Sequence, residues 1–169
     1  NNFDWARSST LCVNLMRDVV HEYKFMCATW FEPMLIRAFL LQAVPALIDG
    51  DWDGVVSIPL HPVKIRERGF NQSDRLAASL AAKLRIPFMY NVLSRVKFTV
   101  SQSTLPRVER FKNVKGVFQT NTNVLLSGKR LILVDDVMTT GATVSACAGV
   151  LKKSGVLEVA VWTLARGGI

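Results

Sequence analysis

Residues 131–143, LILVDDVMTTGAT, constrain this chain more than any other segment. Leu131, Ile132, Leu133 and Val134 form a continuous apolar run that predicts a buried strand. It leads into Asp135 and Asp136, then Val137, Met138, Thr139, Thr140, Gly141, Ala142 and Thr143. A helix follows, with Val144, Cys147, Ala148 and Leu151 on one face. Gly141 lets the backbone approach a ligand or take a positive φ. Amides at a helix N-terminus bind phosphate, and Thr139, Thr140 and Thr143 add hydroxyl donors. Asp135 and Asp136 are anions and suit sugar hydroxyls, which donate hydrogen bonds to carboxylates. Carboxylates beside a phosphate cradle describe a ribose-phosphate site at the carboxyl end of a strand, where open α/β sheets place ligands. An ordinary strand-turn-helix with an Asp cap explains the pair poorly, because a carboxylate closing an apolar strand is costly to bury without partners. Neither the G-x-x-x-x-G-K-[ST] of a P-loop nor the G-x-G-x-x-G of a dinucleotide site is present.

The remaining pattern alternates strands with helices and predicts an α/β fold with a mainly parallel sheet. Residues 9–48 read as helical, because Leu11, Leu15, Val19 and Tyr23 recur at four-residue spacing, as do Phe31, Leu35 and Phe39. Residues 55–60 predict a strand stopped by Pro59 and Pro62, followed by a basic loop over residues 61–70. Asn71 is placed to cap a helix whose stripe is Leu76, Leu80 and Leu84, supported by Ala77 and Ala81. Residues 88–96 and 117–120 are further strand candidates. Residues 101–113 predict a polar, basic loop with a short helix. Gly155 is expected at a helix C-terminus, and residues 159–164 close the pattern as a buried strand.

The 169 residues are about one domain's worth, and a chain near that length buries roughly 68–70 % of its unfolded surface without needing disulfides or metal. Half of the residues are hydrophobic, which excludes an intrinsically disordered chain. The longest early apolar stretch, residues 34–48, is interrupted by Arg37, Gln42 and Pro45, so no membrane span is predicted. Cys12, Cys27 and Cys147 form no C-x-x-C, and His21 and His61 are the only histidines. The expectation is three buried thiols in a reducing cytoplasm and no protein-caged metal. No secretory leader pattern is seen, which is consistent with a cytoplasmic protein.

The net charge of +8 is concentrated. Residues 61–116 hold twelve Lys and Arg against three acids, and the remainder of the chain is nearly balanced. A one-sided excess of this kind points to an anionic partner, polyphosphate or nucleic acid. Phe70, Phe88, Tyr90, Phe98 and Phe111 are the aromatics of that stretch, and several occupy predicted core positions, so no stacking platform for single strands is evident.

LILVDDVMTTGAT resembles the phosphoribosyl pyrophosphate (PRPP) motif of type I phosphoribosyltransferases. IPLHPVKIRERGFNQSDRLA, SQSTLPRVERFKNVKGVF, that motif and VAVWTLAR, in this order, resemble the competence protein F (ComF) family from Ile58 to Arg166. HEYKF, residues 21–25, is similar to that family's helix ending in a Lys-aromatic pair. The resemblance implies one type I phosphoribosyltransferase-like domain over residues 1–169: a mainly parallel central sheet flanked by helices, with a helical N-terminal segment. ComF-family proteins usually carry an N-terminal cysteine-rich zinc ribbon, which this sequence does not contain.

The resemblance also implies a site. Asp135 and Asp136 would bind the ribose hydroxyls as the catalytic carboxylates, with Val137, Met138, Thr139, Thr140, Gly141, Ala142 and Thr143 around the 5′-phosphate. Leu60, His61, Lys64, Arg66 and Arg68 would face the pyrophosphate. Gln102, Arg107, Arg110 and Asn113 would lie on a mobile loop. Mg²⁺ would arrive with PRPP near Asp135 and Asp136, held mainly by ligand oxygens and water. The implied activity is Mg²⁺-dependent transfer of a phosphoribosyl group to an acceptor the sequence does not name, in nucleotide metabolism or DNA uptake; a dimer is compatible with it. The alternative is a non-catalytic, PRPP-sensing accessory protein that binds single-stranded DNA.

Overall fold

The computed structural model describes residues 2–26, 28–99, 109, 112–121 and 123–167. Its main sheet contains β1 (Trp5–Leu11), β2 (Gly54–Ser57), β5 (Arg130–Met138) and β6 (Glu158–Arg166), all parallel, in the order β1-β6-β5-β2. A second, antiparallel pair joins β3 (Leu93–Arg95) to β4 (Phe118–Thr120). The α-helices among the described residues are α1 (Asn14–Phe25), α2 (Glu32–Leu47), α3 (Pro62–Arg68), α4 (Gln72–Leu84) and α5 (Ala142–Lys153). None of them is long and apolar enough to cross a membrane.

β5 reads as unbroken apolar sequence because both of its faces are covered. Leu131 and Leu133 pack with Val144, Cys147 and Leu151 of α5 and with Leu93 and Phe118 of the β3-β4 pair. Ile132 and Val134 pack on the opposite side with Leu35 and Phe39 of α2, Leu76 and Leu80 of α4, and Trp162. Each such aliphatic side chain contributes about 1.5–3 kcal/mol when fully buried. Between β2 and β5 the chain lays α4 on one face; between β5 and β6 it lays α5 on the other. The carboxyl ends of β2 and β5 are therefore a switch point, and a crevice opens there.

Several local expectations are corrected. Residues 9–11 are strand, not helix: β1 pairs with β6 from Trp5 opposite Ala160 to Leu11 opposite Arg166. The four-residue spacing of Leu11 and Leu15 runs across that strand and the start of α1, and both side chains are exposed while Val19 and Tyr23 are buried. The helical region is further divided by a 3-10 turn, Thr29–Phe31, before α2, where Pro33 occupies the first turn. The basic segment 61–70 is mostly helix α3. His61 Nδ1 accepts the Val63 N–H, Pro62 begins the first turn, and Gly69 ends the helix at φ +84°. Of the strand expected over residues 88–96, only β3 and a single parallel bridge from Phe88 to Val55 form. β5 continues past Val134 to Met138, so Asp135 and Asp136 belong to the strand itself. Cys147 is buried and Cys12 half-buried; Cys27 lies outside the described residues.

Candidate functional site

β2 and β5 run side by side with Ser57 opposite Val134, and the Ile58 N–H donates to the Val134 carbonyl at 3.0 Å. Past this pair, one chain turns through Pro59 and Leu60 into α3, and the other carries the carboxylates. A cleft of about 360 Å³ lies between them. The N-terminus of α4 is tied to both walls. Asn71 caps the helix by accepting the Ser73 N–H at 3.3 Å, and its Nδ2 donates to the Ile58 carbonyl at 3.1 Å. Ser73 Oγ–H donates to Asp135 Oδ1 at 3.0 Å, and the Asp136 N–H donates to the same oxygen at 2.9 Å.

Asp136 has a different partner. Lys24 Nζ, in the last turn of α1, is 2.8 Å from Asp136 Oδ2, with both side chains mostly shielded from water. Burial pushes the Asp135 carboxyl up to about 7, and the Asp136 charge pushes in the same direction; Lys24 and the two hydrogen bonds pull against it. The two carboxylates thus stand in unlike environments, one with a cation and one with neutral donors.

Beyond Met138 the turn is short. Thr140 Oγ1 accepts the Ala142 N–H at 3.4 Å, and Gly141 takes φ +79° as it opens α5. A small cavity of about 30 Å³ at this helix N-terminus is lined by Thr139, Gly141, Ala142 and Thr143, together with Asp135, Val137 and Met138. Backbone N–H groups at such a terminus favour a phosphate.

The opposite wall carries cations. Leu60, His61, Lys64 and Arg68 line the cleft, whereas Arg66 is exposed and does not. Lys64 pairs with Glu67 at 2.7 Å, and Arg68 donates to Gln72 Oε1 at 2.6 Å with its guanidinium 5.3 Å from the Phe25 ring centre. The imidazole of His61 caps α3 through Nδ1 and meets the Phe98 ring at 5.2 Å. Gln102, Arg107 and Arg110 lie outside the described residues. Asn113 is half-buried and does not line the cleft.

Arg95 and Ser73 escape a reading of the sequence, and Lys24 enters it only through the HEYKF resemblance. Arg95 ends β3 and lines the cleft; its buried Nε has no hydrogen-bond partner among the described residues, and Nη2 donates to Thr99 Oγ1 at 2.5 Å. Among the described residues no carboxylate is within ion-pair distance of it. Burial lowers its pKa from the ordinary arginine value, so the site holds a partly desolvated cation. The available signal is its place in a half-apolar strand candidate, where an arginine needs a reason.

No group of three or more His, Cys, Asp or Glu among the described residues could cage a metal. The donors present are two adjacent carboxylates: Asp136 Oδ1 accepts the Val137 N–H and Asp136 Oδ2 faces Lys24, while Asp135 Oδ1 takes both of its hydrogen bonds and leaves Asp135 Oδ2 without a partner among the described residues. That set fits Mg²⁺, which binds through one or two carboxylates together with a ligand's phosphates.

A profile of the phosphoribosyl transferase domain matches residues 65–169. Competence protein F of Haemophilus influenzae is 33% identical over 152 residues, covering 88% of this chain and 66% of that protein. This chain belongs to the ComF family of phosphoribosyltransferase-domain proteins. The DNA utilization protein YhgH of Escherichia coli strain K12 is also 33% identical, over 151 residues, with the same coverages. The ComF-family chain thus spans about two thirds of the length of these curated relatives. Among solved structures, an adenine phosphoribosyltransferase aligns over 85% of this chain and 73% of its own, with TM-score 0.51 and 17% identity. The glutamine PRPP amidotransferase of B. subtilis aligns over 76% of this chain and 25% of its own, with TM-score 0.50 and 21% identity. These two likenesses establish the type I phosphoribosyltransferase fold.

Proposed function

We propose that this ComF-family chain binds PRPP with Mg²⁺ and transfers its phosphoribosyl group to an acceptor. The observation that carries the reading is one cleft with two chemically opposite walls: carboxylates beside a helix N-terminus on one, and Lys64, Arg68 and Arg95 on the other. Asp135 and Asp136 accept hydrogen bonds from the ribose hydroxyls. Thr139, Thr140, Thr143 and the first amides of α5 hold the 5′-phosphate. Lys64, Arg68 and Arg95 stabilise the negative charge that grows on pyrophosphate as the anomeric carbon takes on oxocarbenium character. Mg²⁺, when bound near Asp135 and Asp136, adds charge neutralisation on the same leaving group. His61 contributes the α3 cap, which holds Lys64 and Arg68 on the cleft wall.

Calorimetric titration with Mg²⁺ and PRPP tests the reading. The Asp135→Ala/Asp136→Ala double variant should lose PRPP binding while retaining its circular dichroism. Unchanged affinity in a folded variant would refute the assignment.

One observation favours a second reading. Phe25 and Phe98 are 58% and 56% exposed at the edge of the cleft, beside Lys64 and Arg68, and Tyr90 is 61% exposed nearby on β3's approach. Exposed aromatic faces among cations are the elements of a single-strand platform. In this reading the chain senses PRPP and binds single-stranded DNA. Affinity for an oligonucleotide should then fall with salt at a slope of about −0.7 per neutralised phosphate. Salt-independent binding would reject it.

A further inference from the structure

A second cavity, of about 180 Å³, lies behind the turn through Pro59 and Leu60. That turn and Arg95 line both this cavity and the main cleft. The cavity's other walls are mostly apolar, with Ile65 of α3 on one side and Met89 and Leu93 on another. Two groups interrupt the apolar lining with opposite charge. Arg95 brings a guanidinium that no carboxylate among the described residues neutralises. Asp74 brings a carboxylate whose Oδ1 accepts from Ser57 Oγ–H at 2.5 Å and Asn71 Nδ2 at 2.7 Å, and whose Oδ2 has no partner among the described residues. Half-buried charges of this kind are costly unless something pairs with them. The volume is below the ~300–1,000 Å³ of a drug-sized site, so it suits a single ring.

We propose that this cavity is a second ligand site, taking a one-ring amphoteric molecule with an anionic group for Arg95 and an amine or N–H donor for Asp74. The apolar walls accept the ring faces, and the two charges fix its direction. Because Arg95 and the turn through Pro59 and Leu60 also face the cleft, a ligand here competes for the cation that the pyrophosphate of PRPP requires. Occupancy of the two sites is therefore negatively coupled. That coupling rests on the PRPP reading of the cleft; the site itself does not.

The probe is para-(aminomethyl)benzoate, followed by backbone amide NMR of the full chain without PRPP. Saturable shifts at Ile65, Asn91 and Ser94 are expected. Benzoate, which lacks the amine, and benzylamine, which lacks the carboxylate, should each bind at least about tenfold more weakly. Ile65 is 38% exposed and lies outside the cleft, so Ile65→Trp should fill the cavity mouth and abolish the shifts while the fold is kept. No saturable shift, equal binding of the two truncated probes and the parent, or shifts confined to Thr139 and Thr143 would overturn the site. If Ile65→Trp fails to fold, the truncated probes on the unmodified protein still decide. Adding Mg²⁺ and PRPP should weaken the probe about threefold or more, with the same factor in the reverse titration. Simultaneous binding with no mutual effect would overturn the coupling. Failure of PRPP to bind while the probe arms succeed would instead refute the reading of the cleft.

Discussion

Lys24 Nζ and Asp136 Oδ2 are 2.8 Å apart, which joins the last turn of α1 to the carboxylate end of β5. The pair sets a cation against an aspartate whose side chain is only 14% exposed, at the edge of an apolar sheet. It also fixes α1 over the cleft, so Phe25 reaches the rim. Removing one partner of a buried pair costs about 3–5 kcal/mol, and this pair, being partly solvated, should lie at or below the lower end. Lys24→Met should therefore lower thermal stability and weaken PRPP binding by about tenfold or more, while Lys24→Arg recovers most of both. Thermal melts and calorimetry on the two variants check this; equal losses in Met and Arg would mean that the charge at this position is irrelevant.

Asp135 gives stability a definite pH dependence. Its folded pKa, pushed up to about 7 by burial and by the Asp136 charge, is above the ordinary carboxylate value of 3.8. The folded state therefore holds a proton that the unfolded state releases. The contribution is fully present below the unfolded value and is lost as pH rises toward 7, at up to ~1.4 kcal/mol per pH unit. Denaturant titrations without added Mg²⁺ should show stability falling across this window from this group. Asp135→Asn should flatten that slope, with its largest relative stabilisation near neutral pH. A variant with the unmodified slope would place the proton elsewhere.

Gly141 is constrained by its backbone. At φ +79° an added side-chain carbon would meet Val144 Cγ2 at 3.7 Å and Met138 Sδ at 3.8 Å, which is ordinary contact. The space is available and the left-handed conformation is the obstacle, costing roughly 1–2 kcal/mol for a non-glycine residue. Gly141→Ala should lose that much stability and weaken ribose 5-phosphate binding, because the α5 amides would turn away. Gly69→Ala, at φ +84° with nothing within 4 Å, should lose similar stability and leave ribose 5-phosphate binding intact. Denaturant melts and calorimetry with ribose 5-phosphate compare the two; equal binding losses would mean that neither glycine acts through the phosphate cradle.

Residues 131–143 are readable because strand, carboxylates, turn and helix are consecutive, and local chemistry fixes each of them. Asn71 is likewise visible as a cap, and the cap is there. What the sequence conceals is held together over long separations. Lys24 meets Asp136, and Ser73 meets Asp135, only after the sheet has formed. The end of β1, residues 9–11, reads as the start of a helix because the small and hydroxylated residues of this strand carry no strong alternation, and its partner β6 lies at the other end of the chain. The segment 61–70 reads as loop because its charges mask the cap, proline and glycine that define a short helix. Tyr90 falls in the strand expected over residues 88–96, yet it is exposed, since the strand that forms there is only three residues long and begins after it.

Arg95 should separate stability from binding. Its buried Nε lacks a partner among the described residues, and burial weakens its hold on its proton, so the guanidinium carries a desolvation cost that none of those residues offsets. Replacing such a charge by an apolar side chain of similar length is often neutral or stabilising, by about 1–4 kcal/mol where burial is complete. Arg95→Met also preserves contact with the Phe118 ring, 5.6 Å from the guanidinium carbon. The variant should therefore melt at an unchanged or higher temperature. Its PRPP affinity should fall by about tenfold or more, since charge-assisted hydrogen bonds to pyrophosphate oxygens are lost. Ribose 5-phosphate, which has no pyrophosphate to offer, should bind as before. Arg66→Ala supplies the control, because Arg66 is exposed and does not line the cleft; both affinities should stay within about twofold. A destabilised Arg95→Met with full PRPP affinity would show that the cation serves the fold, and equal losses for PRPP and ribose 5-phosphate would show that it acts on the shape of the cleft instead of on pyrophosphate.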